Sequence, residues 1–177
     1  MKKQRKLIVF IAMSLDGYIS KPDSNLDFLS LVEKEGEDYG YADFIKEIDT
    51  VIVGRKTYEK VLSMGVDFPH SDKDTYIITR TEKPSIGNIK FYTRDLKTLV
   101  SDLKSKTGKH IFCDGGAEIV QLLLKDNLID ECYISIIPIL LGDGIRLFNS
   151  AFPEQKLKHI QTKSYDSGLV QVHYEVV

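Results

Sequence analysis

Short apolar runs that break off at glycine and pass into a helical spacing of apolar residues constrain this chain more than any other feature. Two such units are explicit, Val51-Ile52-Val53-Gly54-Arg55-Lys56-Thr57 and Ile111-Phe112-Cys113-Asp114-Gly115-Gly116-Ala117-Glu118. A continuous run of branched and aromatic residues reads as a strand covered on both faces. Tyr58, Val61 and Leu62 follow the first run at helical spacing, and Ile119, Leu122 and Leu123 follow the second. A strand that feeds a helix returns to its sheet as a parallel neighbour, so the pattern predicts a layered α/β architecture.

The same alternation recurs along the chain. Leu7 to Ala12 reads as a central strand ending at the Asp16-Gly17 turn, and Asp43 to Ile48 as the end of a helix that precedes the Thr50-Val53 strand. Thr75 to Thr79 and Ile89 to Tyr92 are further strands, separated by the turn-forming stretch Lys83 to Asn88. Asp95 is placed to cap a helix carrying Leu96, Leu99, Val100 and Leu103 on one face, with Gly108 ending it. His110 to Cys113 and Glu131 to Ile137 are strands, the latter running into the Pro138 to Gly144 turn. From Lys156 to Tyr165 and from Gly168 to Val177 the chain is extended on either side of Asp166-Ser167-Gly168, a hairpin. There Val170, Val172, Tyr174 and Val176 alternate with polar residues, as a strand with one exposed face requires. The expected fold is a single domain over residues 1–177, a three-layer α-β-α sandwich on a mostly parallel mixed sheet with a C-terminal antiparallel hairpin. A length of 177 residues with 42% apolar content suits one core.

A net charge of −2 supplies no field to attract nucleic acid or an anionic membrane, so a small metabolite is the expected partner. The tract Met1 to Lys6 resembles the charged start of a signal peptide. The apolar run that follows stops at Ser14-Leu15-Asp16-Gly17, too short for a membrane span, and a cytoplasmic protein is expected. Cys113 and Cys132 lie outside any CxxC pattern and His70, His110, His159 and His173 are scattered, so buried thiols and no metal are expected.

Each strand-glycine-helix unit is also a candidate anion site. A helix start offers unpaired N–H groups and partial positive charge, and glycine lets a phosphate approach the backbone. Arg55, Lys56 and Thr57 add two cations and a hydroxyl to the first unit. Glycine after a strand is ordinary turn chemistry when it occurs once. Two in one domain, on strands that could be sheet neighbours, fit a cofactor with several phosphates at the carboxyl edge. Neither unit is GxGxxG, and there is no Walker loop.

Ala12-Met13-Ser14-Leu15-Asp16-Gly17, Gly54-Arg55-Lys56-Thr57-Tyr58, Gly115-Gly116-Ala117 and Asp130-Glu131 through Leu141-Gly142-Asp143-Gly144 together resemble the dihydrofolate-reductase-like superfamily, and within it the reductase domain of riboflavin biosynthesis. The resemblance implies NADPH held between the two glycine units. The backbone of Ala12 would meet the nicotinamide carboxamide. Gly54, Arg55, Lys56 and Thr57 would hold phosphates together with Gly115, Gly116, Ala117 and Glu118, the two adjacent glycines adopting an unusual peptide geometry. Thr79, Arg80 and Thr81 would receive the adenosine end, with Arg80 either pairing a 2′-phosphate or standing as a surface arginine. Ser14 and Asp16 would belong to a loop over the nicotinamide, or to a tight turn and nothing more. Asp27-Phe28 stands where relatives carry a polar residue before an aromatic. Phe28 would stack on a flat ring and Asp27 would hydrogen-bond it and act as the catalytic candidate, or Asp27 is a cap or a solvated residue.

True dihydrofolate reductases place one carboxylate on the helix before the second buried strand, in a proline and tryptophan context. This chain has no Trp, and Asp27, Asp38 and Asp43 are equivalent stand-ins. The implied activity is therefore NADPH-dependent reduction of a small nitrogen heterocycle, of the 5-amino-6-(5-phosphoribosylamino)uracil reductase type. The alternatives are a dihydrofolate reductase and a non-catalytic dinucleotide- or pterin-binding protein. Relatives pair as dimers, and the long apolar stretch Ile134 to Leu141 suits either a homodimer contact or the core.

Overall fold

β1 (Leu7–Ser14) is the axis of the molecule, pairing in parallel with β6 (His110–Cys113) on one side and β7 (Glu131–Ile137) on the other. The computed structural model describes residues 4–150 and 152–177; Met1 to Lys3 of the basic tract lie outside the described residues. β3 (Ile48–Gly54), β4 (Asp74–Ile78) and β5 (Ile89–Tyr92) extend the parallel array, and β9 (Leu157–Ser164) and β10 (Val170–Val176) form the antiparallel hairpin. The sheet has eight strands in the order β5-β4-β3-β6-β1-β7-β10-β9. β2 (Tyr18–Ser20) and β8 (Ile145–Arg146) make a separate antiparallel pair over the end of β1.

Period-two alternation sends the two sides of each strand to different helical layers. Leu7, Val9, Ile52, Ile111 and Cys113 face α3 (Leu96–Ser105) and α4 (Ala117–Lys125), whose inward residues include Leu99, Val100, Leu103, Val120 and Leu123. On the opposite face, Phe10, Val51 and Phe112 meet Tyr41, Phe44 and Ile45 of α1 (Tyr41–Lys46). Val53 and Ile77 meet Tyr58 of α2 (Arg55–Ser63), and Ile137 meets Phe28 and Val32 of a 3-10 helix (Asp27–Val32). Each fully buried aliphatic side chain contributes about 1.5–3 kcal/mol, so these two packed faces dominate the stability. α3 starts as expected, with the Asp95 carboxylate accepting from Thr98 N at 2.8 Å.

Several expectations change. The helix expected to run to Ile48 ends at Lys46, because Ile48 is 2% exposed and opens β3 in the core. Leu122 is 44% exposed, and the inward stripe of α4 is Ile119, Val120, Leu123 and Leu124. Gly108 lies beyond the end of α3 at Ser105; a Cβ there would come within 2.5 Å of Asp49 Oδ2, so close approach to the Arg5–Asp49 ion pair requires the glycine. The polar side of β10 is covered, not exposed: Gln171 donates to Ser135 Oγ and to Tyr39 O at 3.1 Å, and His173 stacks on Tyr133. The exposed strand is β9, all of whose residues face solvent. In the apolar stretch from Ile134, Ile134 and Ile137 are core residues and Leu140 is 69% exposed. Among the described residues no helix is long and apolar enough to cross a membrane.

Candidate functional site

β4, β3, β6 and β1 are consecutive and parallel, so their carboxyl ends open on one edge. That edge brings together Thr79, Arg80 and Thr81 after β4, Gly54 to Thr57 after β3, Asp114 to Glu118 after β6, and Ala12 to Asp16 at the end of β1. The two glycine strands are neighbours, with Ile52 opposite Cys113. Their turns are joined directly, Gly54 N donating to Gly115 O at 2.8 Å. The Gly115–Gly116 peptide is cis, the unusual geometry the resemblance implied, and Gly115 has φ +90°. A Cβ on Gly54 would meet Ile119 Cγ1 at 3.0 Å and Gly115 O at 3.6 Å, and one on Gly116 would meet Thr57 Oγ1 at 3.0 Å. Side chains are thus excluded from a floor made of backbone.

The starts of α2 and α4 flank this floor, and neither has a side-chain cap, unlike α3. Their first N–H groups are the donors that an anion at a helix start engages. Lys56 Nζ lies 3.7 Å from Glu118 Oε2 across the two turns, and Arg55 pairs with Glu59 at 2.5 Å. Both pairs are largely solvent-exposed and weakened by solvent screening, so a phosphate can displace them. Arg80 is exposed and carries no ion pair among the described residues, while Thr79 Oγ1 accepts from Thr81 N at 3.2 Å and shapes the turn. Beside the start of α4 opens a cavity of about 430 Å³ lined by Ala117, Glu118, Gln121, Tyr18, Gly144 and Arg146. The Arg146 guanidinium stands 4.5 Å over the Tyr18 ring and donates to its hydroxyl at 3.0 Å.

At Ala12 the strands part. β1 pairs with β6 only from Leu7 to Val9, but with β7 as far as Ser14. Lys6 O accepts from Ile111 N on the β6 side and Leu7 O from Asp130 N on the β7 side. Alternation then directs the N–H and C=O of Ala12 toward β6, past the last paired residue. Those groups have no strand partner on the β6 side among the described residues, so a carboxamide can pair there. Ser14 and Asp16 are occupied by the protein: Ser14 Oγ donates to Asp16 Oδ1 at 2.6 Å, and Asp16 accepts from Leu141 N and Gly142 N. The Ser14 hydroxyl first, and then these backbone N–H groups, hold the Asp16 carboxyl down at about 2. The pair fixes the loop after β1 to the turn before β8, and the structure gives its side chains that structural task.

Asp27 and Phe28 are placed differently from the expectation. Asp27 is exposed and paired with Lys21 at 2.7 Å, and the Phe28 ring is 3% exposed against Ile137 and Leu169, leaving no face for a ligand. Asp38 accepts from Gly40 N and Ala42 N at the start of α1, and Asp43 pairs with Lys46. None of the three stand-ins has a carboxylate left unengaged. Asp114 follows β6 on the strand face of Phe112 and is directly followed by Gly115. Tyr41 and His70 accompany it. Burial, then the charges of Asp114 and Asp72, push the Tyr41 phenol up to about 12. Asp114 was legible as part of the DGG run; no local pattern ties Tyr41 or His70 to it, since the three come from separate elements.

Residues 5–171 match the family described as the RibD C-terminal domain. Two Bacillus subtilis (strain 168) proteins are similar along nearly the whole chain. YwjB is 40% identical over 172 residues, 97% of this chain and 98% of that one. YyaP is 30% identical over 184 residues, 97% of this chain and 95% of that one. Among solved structures, a protein of Shewanella sp. PV-4 ascribed to riboflavin biosynthesis superposes with a TM-score of 0.87 at 32% identity, covering 97% of this chain and 99% of that chain. A Thermotoga maritima diaminohydroxyphosphoribosylaminopyrimidine deaminase/5-amino-6-(5-phosphoribosylamino)uracil reductase shares the fold with a TM-score of 0.73 at 15% identity. The match covers 98% of this chain and 57% of that longer one.

Proposed function

Since the chain belongs to the RibD C-terminal domain family and has its dihydrofolate-reductase-like fold, we propose that it is an NADPH-dependent reductase of a small nitrogen heterocycle, of the 5-amino-6-(5-phosphoribosylamino)uracil reductase type. The observation that carries this reading is the pair of uncapped helix starts joined through Gly54 N and Gly115 O. They offer anion donors on both sides of a floor without side chains. Thr79 to Thr81 and Ala12 stand at the two ends of the same edge, so an extended dinucleotide fits along it. Arg80, free of ion pairs among the described residues, suits a 2′-phosphate and favours NADPH over NADH.

NADPH when bound supplies a hydride, and the protein has to align, shield and provide hydrogen-bond partners. Ala12 would orient the carboxamide through its backbone, and Asp114 and Tyr41 would be the polar groups that meet the heterocycle. Asp27, Asp38 and Asp43 are all solvent-exposed, which weighs against folate. Titrating NADPH while following its fluorescence, then adding the phosphoribosylaminouracil and following absorbance, tests the proposal. Saturable NADPH binding and substrate-dependent oxidation are expected, and no binding at high micromolar NADPH would overturn it.

A further inference from the structure

Arg146 is exposed, yet it is held in place. β8 sets it opposite Tyr18 of β2, and its guanidinium lies 4.5 Å over the Tyr18 ring. One end donates to the Tyr18 hydroxyl at 3.0 Å and the other to Asp16 O at 3.2 Å. Tyr18 is itself fixed: it is 7% exposed, and its backbone N–H donates to Ser14 Oγ at 2.9 Å. Stacking on a ring and donation to neutral oxygens orient an arginine without cancelling its charge.

No carboxylate cancels that charge. Arg146 makes no ion pair among the described residues, although two acids stand in the adjoining turns. Asp16 accepts from Ser14 Oγ, Leu141 N and Gly142 N, and Asp143 accepts from Gly144 N at 2.8 Å. Glu118, on the α4 wall of the same cavity, has Lys56 at 3.7 Å. An oriented guanidinium with an uncompensated charge on a cavity wall is a receptor for an anion. At about 430 Å³ the cavity is in the size range of small-ligand pockets. Its α4 wall begins at Ala117, the residue after the Gly115–Gly116 turn, and its other wall is the β2–β8 pair over the end of β1. It therefore continues the backbone floor from the phosphate end toward the Ala12 end.

We propose that this cavity takes the ribose-phosphate on the nicotinamide side of the dinucleotide, with Arg146 pairing its phosphate and Tyr18 acting as the positioning residue that presents the guanidinium. The identity of the ligand rests on the reductase reading. Calorimetric titrations of the full chain with NADPH, NADH and adenosine 2′,5′-bisphosphate separate the two ends, because the bisphosphate lacks the nicotinamide-side phosphate. Arg146→Gln keeps an amide donor and removes the charge. It should weaken NADPH and NADH alike, at least tenfold, and leave the bisphosphate within twofold. Arg146→Lys, with the charge but not the planar stack, should recover part of the loss. Tyr18→Leu should reproduce the Arg146→Gln pattern more weakly, and Tyr18→Phe, which keeps the ring, should recover most of it. Unchanged NADPH affinity in a folded Arg146→Gln protein, or a loss of equal size for the bisphosphate, would overturn the proposal and leave the reductase reading standing. If the parent protein binds neither NADPH nor NADH, the reductase reading falls and takes this one with it. Should Arg146→Gln fail to fold, crystals of the parent protein soaked with NADPH decide the matter: a phosphate oxygen within hydrogen-bond distance of Arg146 is expected, and a nicotinamide-side phosphate seated away from it would refute the assignment.

Discussion

Gly54→Ala separates the cost to the fold from the cost to cofactor binding. Gly54 has φ −72° and ψ 146°, a conformation alanine adopts without strain. The added methyl would meet Ile119 Cγ1 at 3.0 Å, so Ile119 has to yield by a few tenths of an ångström. Overpacking of that kind costs about 1–3 kcal/mol, and the lower entropy of the unfolded chain returns about 0.4–1 kcal/mol. The net loss is roughly 0–2.5 kcal/mol, at most about 10 °C in Tm for a chain of this size. Binding loses more. The methyl stands 3.6 Å from Gly115 O and 3.7 Å from Gly116 N, over the floor where a phosphate oxygen must come within about 3 Å of N–H donors. Losing one such charge-assisted bond costs about 1.5–3 kcal/mol, a ten- to hundredfold rise in Kd for NADPH. Differential scanning fluorimetry and a fluorescence titration on the same sample measure both quantities. A folded variant that binds NADPH as tightly as the parent protein would refute the placement of the phosphates.

Arg80→Ala should weaken NADPH about tenfold and leave NADH unchanged, since only the former carries the 2′-phosphate; equal losses for both in parallel titrations would remove Arg80 from that role. Burial pushes the Cys113 thiol up to about 12 and the Cys132 thiol up to about 11. At pH 8 the reactive thiolate of Cys113 is then of order 10⁻⁴ of the total, so the native protein should be inert to a disulfide reagent and react at both cysteines once unfolded in urea. We also expect a homodimer, with β9 the strand available for pairing because its whole length is exposed, Leu157 at 50% and Ile160 at 45%. Light scattering that returns the monomer mass would contradict this.

Strands buried on both faces were legible because their composition leaves them no other place. His110–Cys113 and the Thr50 to Val53 part of β3 fall where the branched runs stand. Ile48 was misread because one apolar residue after a helical spacing suits a last turn as well as a first strand position, and the core decides between them. The polar side of β10 looked exposed for a similar reason: alternation reports two faces, but not that Tyr39 and Ser135 cover the second. At the site, the glycine turns announce themselves through close approach, which only glycine permits. Asp27-Phe28 misled because the order of residue types carries no information on whether an aromatic ring faces a ligand or Ile137. The His70–Asp114 contact joins the segment before β4 to the turn after β6, far apart in the chain, and the packing of His70 on Phe68 and Phe112 is what places it.

The central claim is that one dinucleotide lies along the carboxyl ends of β4, β3, β6 and β1, and a crystal structure of the protein soaked with NADPH tests it most directly. The account predicts the pyrophosphate between Gly54–Thr57 and Gly115–Glu118, the adenosine at Thr79–Thr81 and the carboxamide on the backbone of Ala12. A dinucleotide bound away from this edge, or one that leaves the Gly54–Gly115 floor bare, would contradict it.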